Sequence, residues 1–303
     1  MALPPLPLPA PPFRLAMGLQ ALKPDDWIDL DAAYPEHLAV REELIGTDAE
    51  AVVAFLDEAS DAVEELQATL VAHLLRVFPD SFASGPAGTI VTPDDRRVRL
   101  GGDGNSRLRA IGRLVQEDFC LLQANDPAGP YRLTAAVLCF PTRWKLHEKI
   151  GKPLLEIHAP VPGYDATLGR PVDRFFTLLR ADKPVWRVNW SLLDHPALFQ
   201  PEGHFRGERN PAVTAENAGD ALFLRFERQT LLRLPHTGAI VFGIRVHQRP
   251  LRSLATDPAW AGEFAAVIRS VPSEMGRYKS LPPVRDAALA WLDRAASGAP
   301  IAG

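Results

Sequence analysis

The sequence predicts an α+β protein built on an antiparallel five-stranded sheet, with helices packed on one face and further helices added at both ends. Three observations carry this expectation. Five runs rich in β-branched and aromatic residues are bounded by turn chemistry: Asp118–Gln123, Arg132–Phe140, Val185–Leu193, Ala221–Leu232 and Ala239–Gln248. A helix-patterned stretch broken by Pro160, Pro162 and Gly163 separates the second run from the third. Helix-period segments precede the first run and follow the last.

Taken in order, Pro4, Pro5, Pro7, Pro9, Pro11 and Pro12 each fix φ and remove a backbone donor, so residues 1–12 read as an extended arm. Thr47-Asp48-Ala49-Glu50 has the pattern of a capping box. It leads into Val52, Phe55, Leu56, Ala59, Val63, Leu66, Leu70, Leu74 and Val77 at helical spacing, with Pro79 as the stop. This is a scaffold helix within a helical addition over 36–79. The first two strands form a hairpin around Asn125-Asp126-Pro127-Ala128-Gly129-Pro130. Trp144–Ile157 and Pro171–Leu179 read as helices of the insertion, and Pro235-His236-Thr237-Gly238 turns the fourth strand into the fifth. Helical patterning returns over 257–296, strongest in Val284–Ala295. The chain is therefore expected to be the arm followed by one domain over 13–300, with a core at about 115–250. Two strands, a helical insertion and three strands is also the order of the Per-ARNT-Sim fold, in which the inserted helices and a concave sheet face enclose a ligand; the likeness assigns no function by itself.

Composition narrows the function classes. Of 303 residues 47% are hydrophobic and 23% charged, enough to bury a sizeable core. A net charge of -4 offers no basic field for phosphates, so nucleic acid is not expected as a partner. The proline-broken N-terminus fits neither a signal peptide nor a membrane helix, and cytoplasmic residence is expected. Cys120 and Cys139 sit in apolar runs without the short spacing of a thiolate metal site or redox pair, and read as buried free thiols.

The histidines form no short-spaced metal motif. His158 stands apart in Ile157-His158-Ala159-Pro160-Val161-Pro162, at a helix exit stiffened by two prolines, where an imidazole aimed at a metal is held before the metal arrives. The bland alternative is a solvated or carbonyl-bonded helix-end histidine. His147 competes from a charged helical neighbourhood, His247 is weaker, and His37, His73, His195, His204 and His236 have no supporting pattern. On the third strand Trp186, Val188 and Trp190 share one face, apolar enough to lie against a flat cofactor, while Arg187 and Asn189 share the other. On the fourth, Arg225, Glu227 and Gln229 oppose Phe226, Arg228 and Thr230. So much charge in a central strand implies either a buried ion network or a ligand site. A small amine arriving as a cation would be held by a carboxylate, for which Glu227 is the first choice, with Asn189 and Trp190 as further pocket residues.

Several motifs in one order resemble a known family. Phe140-Pro141-Thr142-Arg143-Trp144, Glu148-Lys149-Ile150-Gly151, Ile157–Pro162, Arg187-Val188-Asn189-Trp190 and the run from Glu227 to Ile240 together are similar to the α subunit of haem-dependent oxidative N-demethylase, over roughly residues 13–250. The resemblance implies a haem b domain of the Per-ARNT-Sim type that activates dioxygen and oxidises dimethylamine or a similar amine, releasing formaldehyde, with His158 as the iron ligand. Arg143, Arg187, Arg225 or Arg228 would then pair with haem propionates. It also implies a separate flavin and iron–sulfur reductase subunit carrying FMN, the cluster and the NADPH site, with tetrahydrofolate taking the formaldehyde. Glu227 and Asn189 rest on strand polarity and are not carried over from the family. The rival expectation is a non-catalytic haem, gas or small-ligand sensor of the same fold.

Overall fold

The computed structural model describes residues 10–299 apart from 125, 127 and 128, so Pro4, Pro5, Pro7 and Pro9 of the expected arm and part of the hairpin loop lie outside the described residues. In chain order the strands are β1 (Gln20–Ala21), β2 (Val53–Phe55), β3 (Ala83–Gly85), β4 (Thr89–Val91), β5 (Arg97–Arg99), β6 (Asp118–Gln123), β7 (Arg132–Val137), β8 (Val185–Leu193), β9 (Phe223–Arg233) and β10 (Ile240–Pro250). The α-helices are α1 (Tyr34–Thr47), α2 (Ala49–Val52), α3 (Ser60–Val77), α4 (Gly104–Leu114), α5 (Leu154–Ile157), α6 (Arg170–Leu178), α7 (Ala218–Ala221), α8 (Pro258–Ser270), α9 (Ser273–Tyr278) and α10 (Arg285–Ala296).

The five expected strands are present, and they pair antiparallel in the order β8-β9-β10-β6-β7. The sheet has seven strands rather than five, because β1 extends the β8 edge and β2 extends the β7 edge. A separate three-stranded sheet, β3-β4-β5, has no counterpart in the sequence reading; its strands are too short to show a period.

The long helix expected from Thr47 is broken. Val53, Ala54 and Phe55 pair with Val137, Ala136 and Ala135 as an edge strand, so tertiary pairing overrides a periodic pattern that both structures could use. The expected capping box does not form: the Thr47 hydroxyl donates to the Glu43 carbonyl, 2.8 Å away, inside α1. From Ser60 onward the helix runs as expected and ends at Val77. In the insertion, α6 matches the expected second helix, whereas Trp144–Ile157 holds only a 3-10 turn at Leu146–Glu148 and the single turn of α5, interrupted at Gly151, whose φ of +78 no helix accommodates.

The sheet is covered on both faces, not one. By register, Trp190 lies opposite Phe226 and Leu192 opposite Leu224, and these four bury against Phe264, Ile268 and Trp291 of the C-terminal helices. Burying each such side chain stabilises the fold by about 1.5–3 kcal/mol. The alternate residues face the other way and are covered by the chain between β7 and β8. The β9–β10 turn is closed by Glu65 of α3, whose carboxylate accepts from the backbone of His236 and Thr237.

Two polar anchors tie the N-terminal third to the sheet. Arg41 of α1 and Asp118 of β6 form a fully buried ion pair at 2.6 Å, and Asp118 also accepts from the backbone of Cys139 and Phe140. The strap before α1 is held on β10 by His247–Asp29 at 2.9 Å and Arg245–Asp31 at 2.8 Å. Burial acts to lower the His247 pKa, but its hydrogen bonds to Asp29 and Asp31 outweigh that and hold it above the ordinary imidazole value.

Two outcomes are expected. Asp118→Ala leaves a buried guanidinium unpaired and should lower unfolding free energy by about 3–5 kcal/mol, whereas Asp118→Asn, which keeps an acceptor for the Cys139 or Phe140 backbone, combined with Arg41→Met, which removes the charge, should cost less; equal losses in denaturant titrations would contradict this. Because the folded His247 pKa is raised, its contribution is complete below the unfolded value and is lost as pH rises through the folded one. Protection factors at residues 29–31, exchange rates corrected for the intrinsic pH dependence of amide exchange, should therefore fall as pH rises above the ordinary imidazole value of about 6.5, and His247→Gln should remove that fall.

Candidate functional site

The sheet face opposite the C-terminal helices lines a cavity of about 610 Å³, within the roughly 300–1,000 Å³ of cofactor and ligand sites. Register decides which residues reach it. Arg187, Asn189 and Ser191 of β8 share that face with Glu227 and Gln229 of β9, Phe242 and Ile244 of β10, and Cys120 and Leu122 of β6. The far wall is the insertion, from Thr142 to Leu168; one end is closed by residues 10–18 and another by Met275, Tyr278 and Lys279. Leu122, Leu133, Phe242 and Ile244 make an apolar floor, and the polar residues gather toward β8 and β9.

Glu227 is 8% exposed and the side chains bonded to it are neutral donors. Thr142 Oγ1 donates to Oε1 at 2.5 Å; Asn189 Nδ2 and Gln229 Nε2 donate to Oε2 at 3.3 and 2.8 Å. Such donors stabilise a buried carboxylate without cancelling its charge, which leaves it able to attract a cation.

His158 caps α5 and lines the cavity. Its Nδ1 donates to the Leu154 carbonyl at 2.9 Å, since a carbonyl can only accept, and this makes Nε2 the nitrogen with the free lone pair. The ring stacks on Tyr164 with centroids 4.4 Å apart and planes 11° from parallel. Burial, then the nearby Lys149 and Arg187 charges, lower its pKa despite the carbonyl bond, which favours the uncharged imidazole. A fixed tautomer, a fixed plane and a neutral ring are what a metal-ligating histidine has. Among the described residues no group of three or more His, Cys, Asp or Glu could hold a metal ion by itself, whereas a haem would carry most of its iron's ligands with it and would need one side chain such as His158 to hold it.

Several cations also reach the cavity. Among the described residues the buried Nε of Arg187 has no hydrogen-bond partner, and burial lowers the Arg187 pKa first, against the opposing pull of Glu227. Arg143, at φ +59, pairs with buried Asp194 at 3.2 Å but keeps a buried Nη1 without a partner among those residues. His204, beside Tyr278 at 5.2 Å between ring centroids, has a buried Nδ1 unpartnered in the same sense. The two unsatisfied guanidinium donors, on Arg143 and Arg187, fit an anionic occupant such as a porphyrin with carboxylate arms.

Of the residues singled out in the sequence, His158, Glu227, Asn189, Arg143, Arg187 and Trp190 come together here. Arg225 and Arg228 do not line the cavity. Arg225 donates to the carbonyls of Phe140 and Leu198, and Arg228, on the opposite face, donates to those of Asp26 and Trp27. The Trp face expected to lie against a flat cofactor is mostly spent on packing: Trp190 meets Phe264 edge-on, and Trp186 sits under Arg228. His147 is exposed. Sequence reasoning missed Thr142, Lys149, Tyr164, His204, Tyr278 and Lys279, which lie in turns or helix ends where no period marks a facing.

A cavity of this size, with one fixed imidazole and unsatisfied buried cations on its wall, has the features of a cofactor pocket. A family model described as haem-dependent oxidative N-demethylase, alpha subunit-like, matches residues 18–289. The chain belongs to that family. The family is that of a haem-dependent oxidoreductase subunit, and an alpha subunit is one part of a larger assembly. Among the described residues no helix is long and apolar enough to cross a membrane.

Removing the stacked ring tests the local electrostatics without any ligand. Tyr164→Ala should open the imidazole to water and raise the His158 pKa toward about 6.5, read from its ring proton resonances; an unmoved titration would mean that Tyr164 does not shield it.

Proposed function

We propose that this chain is the haem b subunit of an assembly that demethylates a small secondary amine such as dimethylamine, with dioxygen as oxidant and formaldehyde as carbon product. The observation that carries the reading is the pairing, in one cavity, of a neutral imidazole whose tautomer is set by Leu154 with a caged carboxylate at Glu227. His158 is the iron ligand through Nε2. Arg143 and Arg187, with their unpartnered donors, pair with the propionates. When bound, haem supplies the dioxygen chemistry that no side chain here can perform.

The chain's own residues hold and orient the amine. Glu227 attracts the ammonium, Asn189 and Gln229 keep that carboxylate aimed into the cavity, and the apolar floor of Leu122, Phe242 and Ile244 accepts the methyl groups and excludes water. Electrons come from a separate subunit bearing FMN, an iron–sulfur cluster and the NADPH site, with tetrahydrofolate receiving the formaldehyde. Division of labour is supported by chain composition: a cluster takes about four thiolates, and this chain has two cysteines, both buried and both with burial raising the thiol pKa. Free thiols also favour a reducing cytoplasm. The order β8-β9-β10-β6-β7, with the insertion between β7 and β8 closing over one face, favours a Per-ARNT-Sim-like core at about 115–250 within a single domain over 13–300.

Absorption spectra test the ligand. The purified protein should show a Soret band, and His158→Ala should change or abolish it; unaltered iron coordination in the variant eliminates the assignment. Glu227→Gln should keep haem and weaken amine binding by roughly 10-fold or more, as loss of charge-assisted hydrogen bonds at about 1.5–3 kcal/mol requires. A haem-loaded, chemically reduced protein that makes no formaldehyde from any small amine under air overturns catalysis in favour of a haem sensor.

A further inference from the structure

Lys279 follows α9, far outside the expected core, yet it lines the same cavity as Glu227. Its Nζ donates to Asn189 Oδ1 at 3.3 Å and to the Trp190 carbonyl at 2.8 Å, so both of its hydrogen-bond acceptors are neutral. Two acceptors match the two hydrogens of a neutral amine, leaving one lone pair, whereas an ammonium would bring a third donor. Glu227, the nearest carboxylate, is separated from it by the Asn189 amide, which accepts from Lys279 at one end and donates to Glu227 at the other.

Resting on the function proposed above, we infer that Lys279 is the proton acceptor for the bound amine. The dialkylammonium docks on Glu227, its N–H proton passes to the Lys279 nitrogen, and the products are a neutral secondary amine with a free lone pair and a Lys279 ammonium. Charge in the pocket is unchanged by the transfer. Oxidation at the amine needs that lone pair, and Glu227 is less suited to take the proton because Thr142, Asn189 and Gln229 already occupy its oxygens.

The electrostatics agree. Burial, the largest influence, brings the Lys279 pKa down to about 8, with Glu227 on β9 pulling it up and Arg187 on β8 pushing it down. Its chain neighbour Tyr278 is held in its phenol form by burial, and beyond Tyr278 lies His204, whose pKa burial lowers. The Trp190 ring, with its centroid 4.7 Å from Nζ, favours the charged form and can hold the proton once it arrives. Lys279 is therefore mostly neutral only above about pH 8.

Dimethylamine binding to the haem-loaded protein, followed by the Soret shift between about pH 6 and about pH 10, tests this. In the unaltered protein affinity for the cation should rise about tenfold per pH unit up to about pH 8 and then level. Lys279→Met should remove that inflection while amine still binds, and Lys279→Arg, permanently charged, should bind at least about tenfold more weakly with no inflection. An inflection retained in Lys279→Met overturns the assignment. A second measurement needs no haem: the Cε resonance of Lys279 in lysine-labelled protein, assigned with the Met variant, should titrate near 8 and move lower in Glu227→Gln. Titration near the ordinary lysine value of about 10.4 overturns the inference. A protein that takes up no haem refutes the proposed function instead, and the resonance distinguishes the two failures.

Discussion

The antiparallel register of β8, β9 and β10 is the constraint on which the rest depends. Phe226 and Leu224 must face the C-terminal helices to be buried, and strand alternation then puts Glu227 and Gln229 on the cavity side. A slip of one residue would send the aromatic side chains into the cavity and the carboxylate into an apolar core. Packing on one face therefore specifies chemistry on the other. The cost of a carboxylate in a central strand is offset locally, because Thr142, Asn189 and Gln229 are its donors and two of the three stand on the same sheet face.

The cavity has an uneven charge balance. Arg143, Lys149, Arg187 and Lys279 reach it against Glu227, and only some of these cations are matched: Arg143 by Asp194, Lys149 by the carbonyl of Ile157. Such an excess would repel a cationic amine from an empty pocket. An anionic occupant would offset part of that excess.

Much of the scaffold is legible in the sequence because it is periodic. All five central strands are read there, β8 with both of its boundaries, and α6 and the last helix fall within a residue of expectation. The errors lie where local pattern permits two structures. Val53–Phe55 could continue a helix, and only its pairing with Val137, Ala136 and Ala135 of β7 makes it a strand. Arg225 and Arg228 are recognisable as costly charges, but the carbonyls that satisfy them belong to residues far away in the chain.

What the sequence determined by itself was the alternation that pairs apolar with polar faces, and the stiff exit carrying His158, since both follow from bond geometry within a few residues. What only the tertiary structure decided was which face became the cavity, and that Tyr164, His204 and Lys279 would stand beside it. Those placements depend on which distant surfaces cover which, and burial by a remote segment leaves no mark on the local pattern of residues that it covers.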